Sequence, residues 1–263
     1  MDLGISSKVF IVAGGSKGLG YGIASALAAD GGKVALGARD LATTQRAAAS
    51  LASESQAEVR GYAFDARDGA SITAWVDAVL ADFGRIDGLV VNAGGPPFGV
   101  FDDFDDADWQ AAFELTLLSS VRMIRGVLPT LRAQGGGSIL TLTSSSVKEP
   151  IDNLLLSNVM RSGVVSLAKS LSQQLAPEKI RVNNLVPGLV YTDRLKSLIE
   201  EKSASLGQSE EDIKAAQQGA IPLGRYGTPD EFGRAGAFLL SEAASYITGE
   251  TLVVDGGTMK TVW

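Results

Sequence analysis

Gly14, Gly18 and Gly20 stand between an unbroken apolar run, Val9–Ala13, and a helical repeat of Leu19, Ile23 and Leu27. A buried strand that turns through glycines into a helix leaves backbone N–H groups and the positive helix end facing outward, which suits an anion such as phosphate. Glycine is expected there because a Cβ would hold a pyrophosphate away from the backbone. The spacing is G-x-x-x-G-x-G, which a tight strand–helix turn without a ligand also satisfies, so the flanking pattern has to carry the reading. Downstream, the strand expected at Lys33–Ala38 runs into Arg39, and Lys17 lies in the glycine turn. Two cations at that place suit a 2′-phosphate, hence NADP over NAD. Asp40 stands before LATTQRAAASLA and reads as a helix N-cap in preference to a ribose ligand.

What the chain lacks narrows its chemistry further. Its 263 residues contain no cysteine and no histidine, so disulfides, thiolate catalysis, the usual metal ligand and the usual general base are excluded. No metal site is expected. A net charge of −7 without a basic run argues against nucleic acid as partner. The start, MDLGISSK, does not read as a signal peptide and no apolar run reaches membrane length, so a cytoplasmic location is expected.

The elements that position these residues alternate. Further strands are expected at Val59–Phe64, Ile86–Val91, Ser138–Thr143, Ile180–Val186 and Thr251–Val254, with helical patterns over Asp106–Arg132, Asp152–Pro177 and Thr228–Ser241. Asp65, after the third strand, is placed to accept from an adenine amino group or to cap the next helix. Asn92–Ala93–Gly94 allow close approach at the fourth strand end, and GGPPFG (Gly94–Gly99) can form a pocket wall. Residues 193–219 are polar and weakly amphipathic, with a capping box at Ser209 and Asp212, and read as a lid-like insertion. No linker or repeat divides the chain, so one dinucleotide-binding domain, 1–263, is expected. Alternating strands and helices behind a glycine turn give an α/β fold, a doubly wound parallel sheet.

Several segments resemble the short-chain dehydrogenase/reductase family, in its 3-oxoacyl-ACP-reductase-like form. They are AGGSKGLG (Ala13–Gly20), FDARD (Phe64–Asp68), VNAG (Val91–Gly94), LAPEKIRVN (Leu175–Asn183), PGLVYT (Pro187–Thr192), PLGRYGTPDEF (Pro222–Phe232) and ITGETLVVDGG (Ile247–Gly257). The resemblance implies a Rossmann-type three-layer αβα fold with a seven-stranded parallel sheet in the order 3-2-1-4-5-6-7. It places nucleotide contacts on Gly14, Ser16, Lys17, Gly18, Leu19, Gly20, Arg39, Asp65, Asn92, Ala93, Gly94, Pro187, Gly188, Val190 and Thr192. It puts Pro96, Pro97, Phe98, Leu154, Tyr191 and the lid around a small, partly apolar substrate. It also implies a homotetramer built on the two long helices; a hetero-oligomer with an active relative goes with the reading of the chain as an inactive subunit.

The family's catalytic positions depart from pattern. Aligning on LAPEKIRVN puts Ser157 where the family has Tyr and Arg161 where it has Lys, while Ser144 fits the family Ser and Thr116 takes the Asn position. None of the five tyrosines is followed by Lys four residues on. A serine hydroxyl is a far weaker acid than a phenol, and a guanidinium with a pKa above ~12 donates hydrogen bonds but scarcely relays protons. One reading is an NADP(H)-dependent oxidoreductase in which Ser144, Ser157 and Arg161 hold the reacting oxygen. Water or another side chain (Lys148, Tyr191 or Tyr226) would then supply the proton. The alternatives are a non-redox enzyme on the same scaffold and an inactive NADP-binding subunit.

Overall fold

The computed structural model describes residues 2–262. β1 (Val9–Ala13) and β2 (Lys33–Ala38) flank α1 (Gly18–Ala29), and α2 (Leu41–Ser55) leads to β3 (Val59–Ala63). α3 (Gly69–Phe83), β4 (Gly88–Val91), α4 (Asp106–Ala112), α5 (Ser119–Ala133) and β5 (Gly137–Leu142) follow. The chain continues through α6 (Leu155–Leu175), β6 (Ile180–Pro187), α7 (Asp193–Leu206), α8 (Glu210–Gly219), α9 (Pro229–Leu240) and β7 (Thr251–Val254). All seven strands are parallel, in the order β3-β2-β1-β4-β5-β6-β7. Helices cover both faces of the sheet, and β1 is buried along its whole length, which is why its sequence is continuously apolar.

One apolar cluster lies on each face. Ile11, Trp75, Leu89, Met123 and Val127 belong to the side of α3, α5 and α6; Phe10, Ile23, Leu27, Leu36 and Phe232 belong to the side of α1, α2 and α9. On the second face α1 and α9 cross with glycine against backbone. A Cβ on Gly22 would stand 2.1 Å from the Pro229 carbonyl oxygen, and one on Gly233 would stand 2.1 Å from that of Gly22. The N-terminal end of α1 is therefore set by close backbone contact with α9.

Two helices differ from the sequence expectation in instructive ways. The long pattern over 106–132 contains a π-helical turn, Phe113–Leu118, between α4 and α5. Ser119 and Ser120 donate to the carbonyls of Leu115 and Thr116, capturing backbone acceptors where the turn widens. α6 begins at Leu155, three residues later than the Asp152 expected. Asn153 adopts a left-handed φ of 55°, and residues 153–155 instead pair with Gly99 of the loop after β4.

Candidate active site

Every residue expected to touch a nucleotide lies at or just beyond the carboxyl end of β1, β2, β3, β4 or β6, where open parallel sheets form ligand crevices. Gly14 and Gly18 have φ of 60° and 62°. The structure gives a more local reason for glycine than the one expected. A Cβ on Gly14 would meet the Asn92 amide nitrogen at 2.6 Å, and one on Gly20 would meet the Gly14 oxygen at 2.5 Å. The loop's own packing demands glycine, so its fitness for phosphate rests on its donors.

One of those donors, the Gly15 N–H, goes to the Gly37 carbonyl at 3.3 Å, and no side chain takes the others. α1 starts at Gly18 without a side-chain cap and without an acidic residue in its first turn. α2, α3 and α7, by contrast, are capped by Asp40, Asp68 and Thr192, with Asp40 doing what its sequence position predicts. A helix start with no competing carboxylate is a fit place for the diphosphate of a dinucleotide. A cavity of about 170 Å³ opens beside it, lined by Gly18, Tyr191, Thr192, Asp193, Lys196 and Pro229. Lys17 and Arg39 are both exposed, and neither forms an ion pair among the described residues.

Asp65 caps no helix, since Asp68 holds α3. It accepts from the backbone N–H of Arg67 and, through both oxygens, from that residue's guanidinium. The Arg67 hydrogen bond draws its carboxyl down to about 2, against desolvation, with Arg39 assisting. Pro187 and Gly188 close β6, where the Gly188 N–H donates to the Val254 oxygen. The Val190 side chain is buried in the core, so any ligand contact at that position comes from its backbone.

The candidate catalytic residues lie at the end of β5 and on α6. Ser157 and Arg161 lie one turn apart on α6, and Arg161 Nε donates to Ser157 Oγ at 3.1 Å. Arg161 Nη1 donates to the Leu142 carbonyl at 3.3 Å, which ties α6 to the last residue of β5. Two residues on, Ser144 caps a single helical turn (Ser145–Val147) by accepting from the Ser146 N–H at 3.2 Å. Ser157 is buried and Arg161 half-buried, and burial lowers the guanidinium's pKa from its ordinary value. A Cβ on Gly95 would lie 3.7 Å from Arg161 Nη2, so the guanidinium faces the loop that leaves β4. Thr116 lies in the π turn packed against α6, its hydroxyl buried and without a partner among the described residues.

Of the three candidate proton donors, Tyr226 is committed elsewhere: its hydroxyl donates to Gln217 of α8 at 2.7 Å. Tyr191 stacks on its ring at 5.7 Å, while Lys148 ends the short turn after Ser144. Residues 193–219 have more to hold them than their polarity implies. Leu195, Ile199 and Ile213 bury against Ile221 and Tyr226, and the Arg194 guanidinium lies 5.2 Å from the centre of the Phe98 ring. Sequence reading missed this link, and it also missed Asn184, whose Oδ1 accepts from both Thr141 and Thr143 and fixes the end of β5. Among the described residues no His/Cys/Asp/Glu cluster suits a metal ion, and no helix is long and apolar enough to cross a membrane.

A family model described as enoyl-(acyl carrier protein) reductase matches residues 13–259. The chain belongs to the short-chain dehydrogenase/reductase family. Its scaffold is thus that of an oxidoreductase. It is 37% identical over 254 residues, 96% of this chain and 97% of the other, to a protein assigned as the ketoacyl reductase of a monensin polyketide synthase in Streptomyces virginiae. The structure of L-sorbose reductase from Gluconobacter frateurii, complexed with NADPH and L-sorbose, superposes with a TM-score of 0.95 at 32% identity, covering 100% of both chains. An NAD⁺-bound xylitol dehydrogenase superposes at 0.88 with 26% identity, covering 96% of this chain and 99% of that one. Solved structures of this shape therefore include both nicotinamide nucleotides.

Proposed function

We propose that this protein is an NADP(H)-dependent oxidoreductase acting on the carbonyl or alcohol of a small, partly apolar substrate, with an atypical proton donor. The observation that carries the reading is the meeting of two sites at the carboxyl edge of one sheet. The start of α1 carries no side-chain cap and no first-turn acid, and the Arg161–Ser157 pair is tied to the end of β5. The nicotinamide, when bound, supplies or takes the hydride. Lys17 and Arg39 supply the preference for a 2′-phosphate. Ser144, Ser157 and Arg161 hold the reacting oxygen, each donor worth about 3 kcal/mol toward a developing negative charge. With no phenol at position 157, the proton comes from water held at that oxygen. Residues 193–219 form the lid, and the assembly is a homotetramer built on the long helices.

The test is NADPH oxidation across a panel of ketones, oxo acids and enones, with Ser157→Tyr/Arg161→Lys alongside. Turnover with at least one carbonyl is expected, and an altered pH profile in the double variant. Tight NADPH binding without turnover at any pH would instead make the chain a nucleotide-binding subunit.

A further inference from the structure

The turns that lead out of β1, β2 and β3 hold three carboxylates and three cations, sorted so that only cations are left over. Asp40 accepts from the Thr43 N–H at 2.6 Å and Asp68 from the Ala70 N–H at 2.9 Å, capping α2 and α3. Asp65 accepts from the Arg67 guanidinium through both oxygens, at 3.1 and 2.7 Å. All three acids are thus spent inside the protein. Lys17 and Arg39 are exposed and form no ion pair among the described residues.

Of the three acids, Asp65 is the one placed to interfere with Arg39. β2 and β3 pair with Ala38 opposite Ala63, and the Phe64 N–H donates to the Ala38 oxygen at 2.9 Å. Arg39 and Asp65 therefore leave neighbouring strand ends, about one strand spacing, roughly 5 Å, apart. The Asp65 carboxyl, held low chiefly by its hydrogen bonds from Arg67, also feels the charge of Arg39. Left bare, it would draw Arg39 into an ion pair and repel a phosphate brought to the same place. Arg67 prevents both. The pair is also held from several sides. The Asp65 N–H donates to Ser71 Oγ at 3.0 Å, the Asp68 N–H to the Asp65 carbonyl at 3.1 Å, and Arg122 of α5 to the Arg67 carbonyl at 3.2 Å.

We infer that Arg67 sets a preference for the 2′-phosphorylated nucleotide by masking Asp65, which leaves Lys17 and Arg39 free for the phosphate. This rests on the NADP(H) reading and adds to it a positioning residue that acts through its neighbour and not by touching the coenzyme. A phosphate monoester carries about two negative charges near pH 7, so a bare carboxylate one strand away weighs against NADPH and hardly against NADH. Any contact of Asp65 with adenine is common to the two nucleotides and cancels in the ratio of their affinities.

Titration calorimetry with NADPH and NADH on the intact protein reads that ratio. In Arg67→Ala the preference for NADPH should fall by about tenfold, because a charge is uncovered beside a doubly charged group. Arg67→Lys keeps the cation and should keep most of the preference. In Asp65→Asn/Arg67→Ala nothing is left to mask, and the preference should return to within about twofold of the unaltered protein. Asp65→Asn alone should keep or raise it. A preference unchanged in Arg67→Ala overturns the inference. So does one that falls but stays low in the double variant, since Arg67 would then hold the phosphate itself. An unaltered protein that binds both nucleotides equally, or neither, overturns the inference together with the NADP(H) reading. Arg67 is exposed and an exposed ion pair adds little stability, so the variants should unfold close to the unaltered Tm. If Arg67→Ala does not fold, Asp65→Asn decides: a preference lost there overturns the masking role, and one kept or raised supports it.

Discussion

Gly22→Ala probes whether α1, which carries the candidate phosphate site, is placed by backbone contact with α9. The new methyl carbon would stand 2.1 Å from the Pro229 carbonyl oxygen and 2.7 Å from its carbon, inside the 3.0 Å that Cβ contacts essentially never breach. Both obstacles are backbone, so no rotamer change relieves them and the helices must part by about 1 Å. Overpacking of this kind costs about 3 kcal/mol, while replacing an interior helical glycine with alanine returns about 1 kcal/mol. The clash wins, leaving about 2 kcal/mol. With an unfolding entropy of ~2.1 cal/mol/K per residue, that lowers Tm by about 4 °C. Pro229 also lines the cavity beside Gly18, so NADPH affinity should fall as well. Scanning calorimetry with and without NADPH measures both effects. Gly219→Ala is the control: it lies in α8 with nothing within 4 Å of its added carbon and should leave Tm unchanged or raise it. A Gly22→Ala protein as stable as the unaltered one would refute the reasoning.

Lys17→Ser/Arg39→Ser should weaken NADPH by about tenfold to a hundredfold while sparing NADH, because two exposed charge-assisted contacts are lost; titration calorimetry with both nucleotides reads the difference. Ser144→Ala should lower kcat by about tenfold or more, with little change in nucleotide affinity, since it removes a hydroxyl beside the reacting oxygen and not a phosphate contact. Asp65, held at about 2 against an ordinary 3.8, adds stability that is fully present above about pH 4 and is lost as pH falls toward 2. Arg67→Ala should therefore flatten that part of the acid unfolding curve, by no more than about 1 kcal/mol because the pair is partly exposed.

The sheet and its nucleotide edge were legible in the chain. Continuous apolar runs mark strands covered on both faces, and the predicted β1, β2 and β7 match the observed limits residue for residue. Other strand ends move by a residue or two, where pairing stops without any change of residue type. The absence of histidine, cysteine and Tyr-x-x-x-Lys limits the chemistry whatever the fold, because no folding restores a missing functional group. The spacing of Ser157 and Arg161 likewise predicts their contact, since residues four apart share a helix face.

What remained hidden depends on atoms distant in sequence. The π turn at Phe113–Leu118 interrupts an amphipathic pattern that by itself reads as one helix, and it shows only in where Ser119 and Ser120 take backbone carbonyls. Tyr226 looked like a proton donor until its hydroxyl was found on Gln217, and the polar insertion looked loosely held until Ile199 and Ile213 proved buried. The loneliness of Arg161 is the sharpest case. Composition supplies 30 acidic residues to pair with it, and only the packing of α6 against β5 and the loop after β4 decides that none does. A sequence sets which charges a protein owns; three-dimensional distance alone decides which of them meet.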